Sequence, residues 1–118
     1  MADDAKDVHA ILVTVHGEVL FVREHHGRNY AAIIGCKHVE ALPEAPGCKY
    51  AGMSDERGFG VAGGARNLVG TRAMKSLGFL PGPGGVRGNI VITTRDESAF
   101  DTQTARDLMD DLLDLCPT

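Results

Sequence analysis

Tryptophan is absent from this 118-residue chain, and only two tyrosines and four phenylalanines occur. A core must therefore be assembled from Val, Ile, Leu, Ala and Met, and platforms on which nucleic-acid bases could stack are scarce. No apolar run approaches the roughly 20 residues needed to span a bilayer, which argues against a membrane partner. Met1 to Asp7 carries Asp3, Asp4 and Asp7 where a secretory signal would carry positive charge. The expected localisation is cytoplasmic. Cysteine is sparse too: Cys36, Cys48 and Cys116 cannot all pair within one chain and lack the density of a secreted disulfide scaffold, so reduced thiols are expected. A Cys36 to Cys48 bridge between neighbouring strands is the alternative. An excess of positive charge is also missing, because 12 Lys and Arg face 16 Asp and Glu for a formal net charge of -4. Overall electrostatics therefore do not point to nucleic acid, and any anionic partner must be bound locally.

The length and the 43% hydrophobic content fit one domain, placed at residues 8–116 behind a disordered acidic terminus at residues 1–7. Val8 to Val15, VHAILVTV, and Val19 to Glu24, VLFVRE, are β-branched apolar runs around a turn at His16-Gly17-Glu18 and predict a hairpin. Tyr30, Ala31, Ile33 and Ile34 have helical spacing, with Gly35 placed to close a short helix in the left-handed conformation. Cys36 to Leu42 and Cys48 to Ser54 predict a second hairpin around Pro43-Glu44-Ala45-Pro46-Gly47. Residues 58 to 88 hold ten of the fifteen glycines, yet Ala65 to Leu77 keeps a helical pattern of Leu68, Val69, Ala73, Met74 and Leu77, ended by Gly78. Gly70 should weaken that helix by roughly 1 kcal/mol relative to Ala. Phe79 to Gly88 predicts a loop, and Asn89 to Thr94, NIVITT, a strand with an edge open to self-association as a homodimer. Ala105, Leu108, Met109, Leu112 and Leu113 mark an amphipathic helix stopped by Pro117. The fold class is α+β, a small, mostly antiparallel sheet of about five strands with two to three helices covering one side.

Ile33-Ile34-Gly35 through Glu40, Ser54-Asp55-Glu56-Arg57-Gly58, Ala65-Arg66-Asn67 and Arg87-Gly88-Asn89-Ile90-Val91-Ile92 follow one another in a recognisable order. Over residues 10 to 113 the chain resembles a family of small uncharacterised domains carried by phages, plasmids and other mobile elements. In that family a Gly-ended helix leads to a strand bearing Ile/Val-Glu, then an Asp-Glu-x-Gly turn, an Asn before a helix and a Gly opening a late strand. This sequence has Cys36 where a second Gly is usual, and a Gly-rich insert around Gly60 to Gly64. The resemblance implies a mobile-element accessory protein and assigns no activity to particular residues.

Charge is segregated along the chain. Arg57 to Arg95 contains Arg57, Arg66, Arg72, Lys75, Arg87 and Arg95 with no acid, a net +6, whereas Asp96 to Thr118 carries -6 and the first 56 residues -4. Such a stretch is either a solvated face or a site for an anion, and its glycines favour close approach of backbone amides to a ligand. Gly63, Gly64, Arg66, Asn67 and Arg87 are the candidate ligand-binding residues, at the entrance to a helix beginning near Ala65. Gly58-Phe59-Gly60-Val61-Ala62-Gly63 matches G-x-G-x-x-G, but no buried apolar strand leads directly into it and no acid follows before Asp96, which excludes a dinucleotide site. No Walker-type phosphate loop is present, and no cofactor is implied. His25, His26, Cys36, His38 and Cys48 invite a zinc reading, with Cys36 and His38 alternating on one strand, but they lack ligand-pair spacing, so no metal is expected. Glu40, Asp55 and Glu56 are available acids without a recognisable nucleophile, and Asp55-Glu56 reads as a hairpin turn. The acidic helix Asp107 to Asp114 reads as a solvated face rather than a phosphate mimic.

The functional expectation is a non-catalytic binding module for an anionic, nucleotide-like small molecule or a protein partner. The competing expectation is an enzyme acting on a nucleotide-like substrate in the same Gly- and Arg-rich cleft.

Overall fold

A computed structural model describes residues 7–23, 29–59, 64–96 and 98–116. Apart from Asp7, the expected disordered terminus lies outside these residues, as do His25, His26, Gly63 and Pro117. Among the described residues five strands form one antiparallel sheet: β1 (Ala10–Val13), β2 (Val19–Val22), β3 (Val39–Ala41), β4 (Tyr50–Asp55) and β5 (Ile90–Thr94), in the order β2-β1-β5-β4-β3. Both hairpins form, with Ala10 opposite Val22 and Val39 opposite Asp55. The NIVITT strand lies in the middle of the sheet. Val13 and Ser54 flank Ile90 from β1 and β4, so β5 has no open edge, contrary to the expectation that it would offer one. A strand made of Ile, Val and Ile, all fully buried, belongs where both neighbours shield it.

Three helices complete the α+β fold: α1 (Tyr30–Ile34), α2 (Leu68–Leu77) and α3 (Thr102–Leu113). They cover both faces of the sheet, which corrects the one-sided expectation. The pleat sends Ile11, Val13, Ile90 and Ile92 to one face, where Val69, Ala73 and Met74 of α2 and Ala105, Leu108 and Leu112 of α3 complete the main core. Ala10 and Val91, one step out of phase, point to the other face and meet Ile34 of α1, with Tyr30 and Ile33 beside it.

Gly35 and Gly78 end α1 and α2 with φ of 87° and 96°, a conformation that costs glycine nothing, and their amides bond to Ala31 O and Met74 O. Each helix opens on an amide or carboxylate cap: Asn29 accepts from Ala32 N, Asn67 from Gly70 N and Asp101 from Thr104 N. The second helix thus begins at Leu68, three residues later than its apolar pattern suggests, and Leu68 itself is 58% exposed. Helix α3 stops at Leu113, whose side chain is half exposed rather than packed on the sheet.

Candidate functional site

The sheet end where β1 and β4 finish and β5 starts is tied together by two asparagines. Asn67 is 1% exposed; its Nδ2 donates to Val13 O at 3.0 Å and Gly88 O at 2.9 Å, while its Oδ1 accepts from Gly70 N at 2.7 Å. One amide therefore caps α2 and fastens it to the end of β1 and the approach to β5. Asn89 works above it, accepting from Val15 N at 3.0 Å and donating to Ile34 O at 3.2 Å, so that α1 is held to the β1–β2 turn. Gly70 has a part in this arrangement that helix propensity does not reveal. A Cβ there would stand 2.6 Å from Cγ of Asn67, so the glycine makes room for the cap and is not simply a weak helix residue.

Beside Asn89 opens a cleft of about 310 Å³, lined also by Val15, Ile34, Gly64, Ala65 and Gly88. Asp55, Arg57 and Cys36 complete its polar lining. Asp55 ends β4 in a turn that leads on towards α2, not in a hairpin. Its Oδ1 accepts from Arg57 N at 3.0 Å and Arg57 Nε at 3.3 Å, and its Oδ2 faces Arg57 Nη2 at 3.2 Å. The hydrogen bonds and charge of Arg57 hold the Asp55 carboxyl below the usual carboxylate range. A carboxyl that is more acidic in the folded chain contributes stability above its unfolded pKa and loses it as pH falls through the folded value. Asp55→Asn should therefore make acid unfolding less steep below about pH 4, the region of unfolded aspartate, while changing its pH dependence little near neutrality. Urea midpoints measured from pH 2 to 7 for both proteins test this, and parallel curves would refute it.

The Cys36 thiol donates to His38 O at 3.3 Å, and burial, reinforced by Asp55, pushes its pKa up. Cys36 and His38 both precede β3 instead of alternating along it, and Cys36 packs with the α1 cluster while Cys48 packs with the main core on the other face. All three cysteines are free, so the alternative of a Cys36 to Cys48 bridge is corrected by their placement. Among the described residues no three His, Cys, Asp or Glu side chains gather as metal ligands.

Of the ligand-binding candidates, Gly64 lines the cleft, whereas Asn67, Arg66 and Arg87 do not: the Asn67 amide is engaged inside the fold and Arg66 is exposed. Arg66 precedes the helix cap and is not on the first helical turn as expected. It faces Arg87 in an isolated antiparallel bridge. The bonds around that bridge run from Asn67 N to Val86 O and from Gly88 N to Ala65 O. This makes Arg66 and Arg87 a non-hydrogen-bonded pair, the type in which opposing side chains leave the same face and stand closest. Arg87 Nη1 donates to Gly64 O at 2.9 Å, and Arg87 N to Gly58 O at 2.6 Å, which brings the segment after Arg57 alongside. Of these cations Arg57 lines the cleft, Arg87 reaches its lining through Gly64 O, and Arg66 adjoins the lining residue Ala65 in the chain.

The remaining cations of the +6 stretch go elsewhere. Arg95 pairs with Glu44 and donates to Cys48 O, and Arg72 donates to Leu115 O. Hollows of about 390 and 480 Å³ lie on either side of Cys48, larger than the cleft but with Lys49 and the ion-paired Arg95 as their cations. The G-x-G-x-x-G segment does follow a strand, since β4 runs to Asp55 with Ser54 and Asp55 buried, which departs from the sequence reading. Yet β4 and β5 on either side of α2 are antiparallel neighbours, so the parallel βαβ unit of a dinucleotide fold is not formed.

Sequence alone singled out Arg66, Arg87 and Gly64 but missed Asp55 with Arg57 as a cleft pair, and missed Asn89. The Asp-x-Arg spacing is a detectable signal for a local ion pair. Asn89 had only its place between a glycine and a strand. Comparison of the chain with protein-family models, with curated proteins and with solved structures found no match.

Proposed function

We propose that this chain is a non-catalytic binding module that holds a phosphate-bearing small molecule at the cleft, through Arg66 and Arg87 with Arg57 and the backbone of Gly64 beside them. The observation that carries this reading is the Arg66–Arg87 pair. Like charges set directly opposite each other across a ladder are destabilising, and a bound oxyanion converts that repulsion into two charge-assisted contacts. Arginine suits the task because its planar fork matches phosphate oxygens in pairs. Among the described residues no aromatic ring lines the cleft, so the proposed recognition centres on the phosphoryl group and not on a stacked base. The resemblance noted in the sequence supports an accessory role in a phage or other mobile element.

Calorimetric titration with inorganic phosphate, ribose 5-phosphate and adenosine monophosphate, at low and moderate salt, tests the reading. A charge-assisted hydrogen bond contributes roughly 1.5 to 3 kcal/mol, so Arg66→Ala should weaken a phosphate compound about 10- to 100-fold. The fold should be unaffected, because Arg66 is exposed. Recovery of each compound chemically intact after incubation separates binding from catalysis. No heat from either protein, or equal heat from both, would refute the site and leave a protein partner as the reading to pursue.

A further inference from the structure

We propose that the outer edge of β2 pairs with the same edge of a second copy of this chain, joining two sheets into one antiparallel sheet about a two-fold axis at Leu20. Among the described residues the sheet has two outer strands, β2 and β3. They differ in how they are guarded. Strand β3 is three residues long with Glu40 at its centre, and two-fold pairing there would set Glu40 against its own copy. Strand β2, VLFV, carries no charge and no proline, the usual devices that keep an edge from pairing.

The hydrogen-bond phase of the hairpin determines which residues are available. Thr14 N donates to Glu18 O, so Thr14 and Glu18 form a hydrogen-bonded pair, and alternation then directs the backbone groups of Leu20 and Val22 at β1. Val19 and Phe21 direct theirs outward. A two-fold axis perpendicular to an antiparallel ladder passes through a residue facing its own copy, because paired residues must share a face. Centred on Leu20, that symmetry sets Val19 against Phe21 of the second copy and Phe21 against its Val19, so the outward N–H and C=O groups of both residues find partners. Glu18 falls opposite Val22 of the second copy, and no like charges oppose each other. Leu20 becomes a non-hydrogen-bonded pair with itself, the closest side-chain contact in the ladder. It is 44% exposed in the single chain, and this register covers it with an identical leucine.

Sedimentation equilibrium at high-micromolar concentration should give a mass twice the 12.5 kDa of one chain. Leu20→Lys and Leu20→Glu each set a charge against its own copy and should each be monomeric, with the circular dichroism and thermal transition of a folded domain because position 20 is exposed. Mixing the two variants in equal amounts should restore a mixed dimer, since the two-fold then opposes Lys to Glu. A monomeric wild type would overturn the proposal. So would a dimer that both variants leave intact, or a mixture of the two that stays monomeric.

Discussion

Asn67→Ala is expected to destabilise the protein by about 2 to 4 kcal/mol, a large share of the roughly 5 to 15 kcal/mol that holds a domain of this kind together. Losing the cap of α2 costs about 1 kcal/mol. The larger part comes from Gly88 O, which loses its donor at about 1 to 3 kcal/mol, whereas Val13 O keeps its ladder partner Ile90 and loses only a second bond. Asn67→Asp separates the two effects, because it keeps an oxygen for Gly70 N but removes both donors. It should remain at least about 1 kcal/mol less stable than the wild type near neutral pH. Urea unfolding of the three proteins measures this. If Asn67→Asp falls within about 0.5 kcal/mol of the wild type, the tie across the sheet end contributes nothing and Asn67 is only a cap.

Leu112→Ala should cost about 2 to 5 kcal/mol, since Leu112 is fully buried in the main core and its loss leaves a void between α3 and the sheet. The neighbouring Leu113, 49% exposed, should tolerate the same change within about 0.5 kcal/mol. The pair forms an internal control because both leucines satisfy the same helical periodicity. Equal losses at the two positions would contradict the orientation of α3, and a loss below about 0.5 kcal/mol at Leu112 would remove it from the core.

That contrast marks the boundary of what the residues reveal by themselves. Local signals were legible: β-branched density located β1, β2 and β5, Gly35 and Gly78 announced the ends of two helices, and Pro43 to Gly47 announced the turn between β3 and β4. Position within the sheet was not, because NIVITT reads the same at an edge or at the centre, and only pairing with β1 and β4, distant in the chain, decides between them. The face taken by α1 was hidden for a similar reason. Five residues are too few for a periodicity that says which side of the sheet they cover, and that choice depends on Ala10 and Val91 being out of phase with Ile11 and Ile92.

For the site, charge segregation along the chain was a partial guide. It included Arg57, which lines the cleft, and Arg66 and Arg87, which the fold pairs beside its lining residues Ala65 and Gly88, but equally Arg72 and Arg95, which it sends to Leu115 and Glu44. The double role of Asn67 exceeds its sequence signal, since an asparagine before a helix announces a cap but not two carbonyls contributed by other segments.

The cleft at the sheet end is tested most directly by a residue-resolved titration. Amide chemical shifts of the isotopically labelled protein, followed by nuclear magnetic resonance as inorganic phosphate is added at constant ionic strength, should move along a single saturable curve at Gly64, Ala65, Arg66, Arg87 and Gly88. The amides of Arg72, Lys75 and Arg95 should stay still. Shifts that grow linearly without saturation, or that spread equally over all six cations of the basic stretch, would contradict a built anion site and reduce Arg66 and Arg87 to a solvated pair.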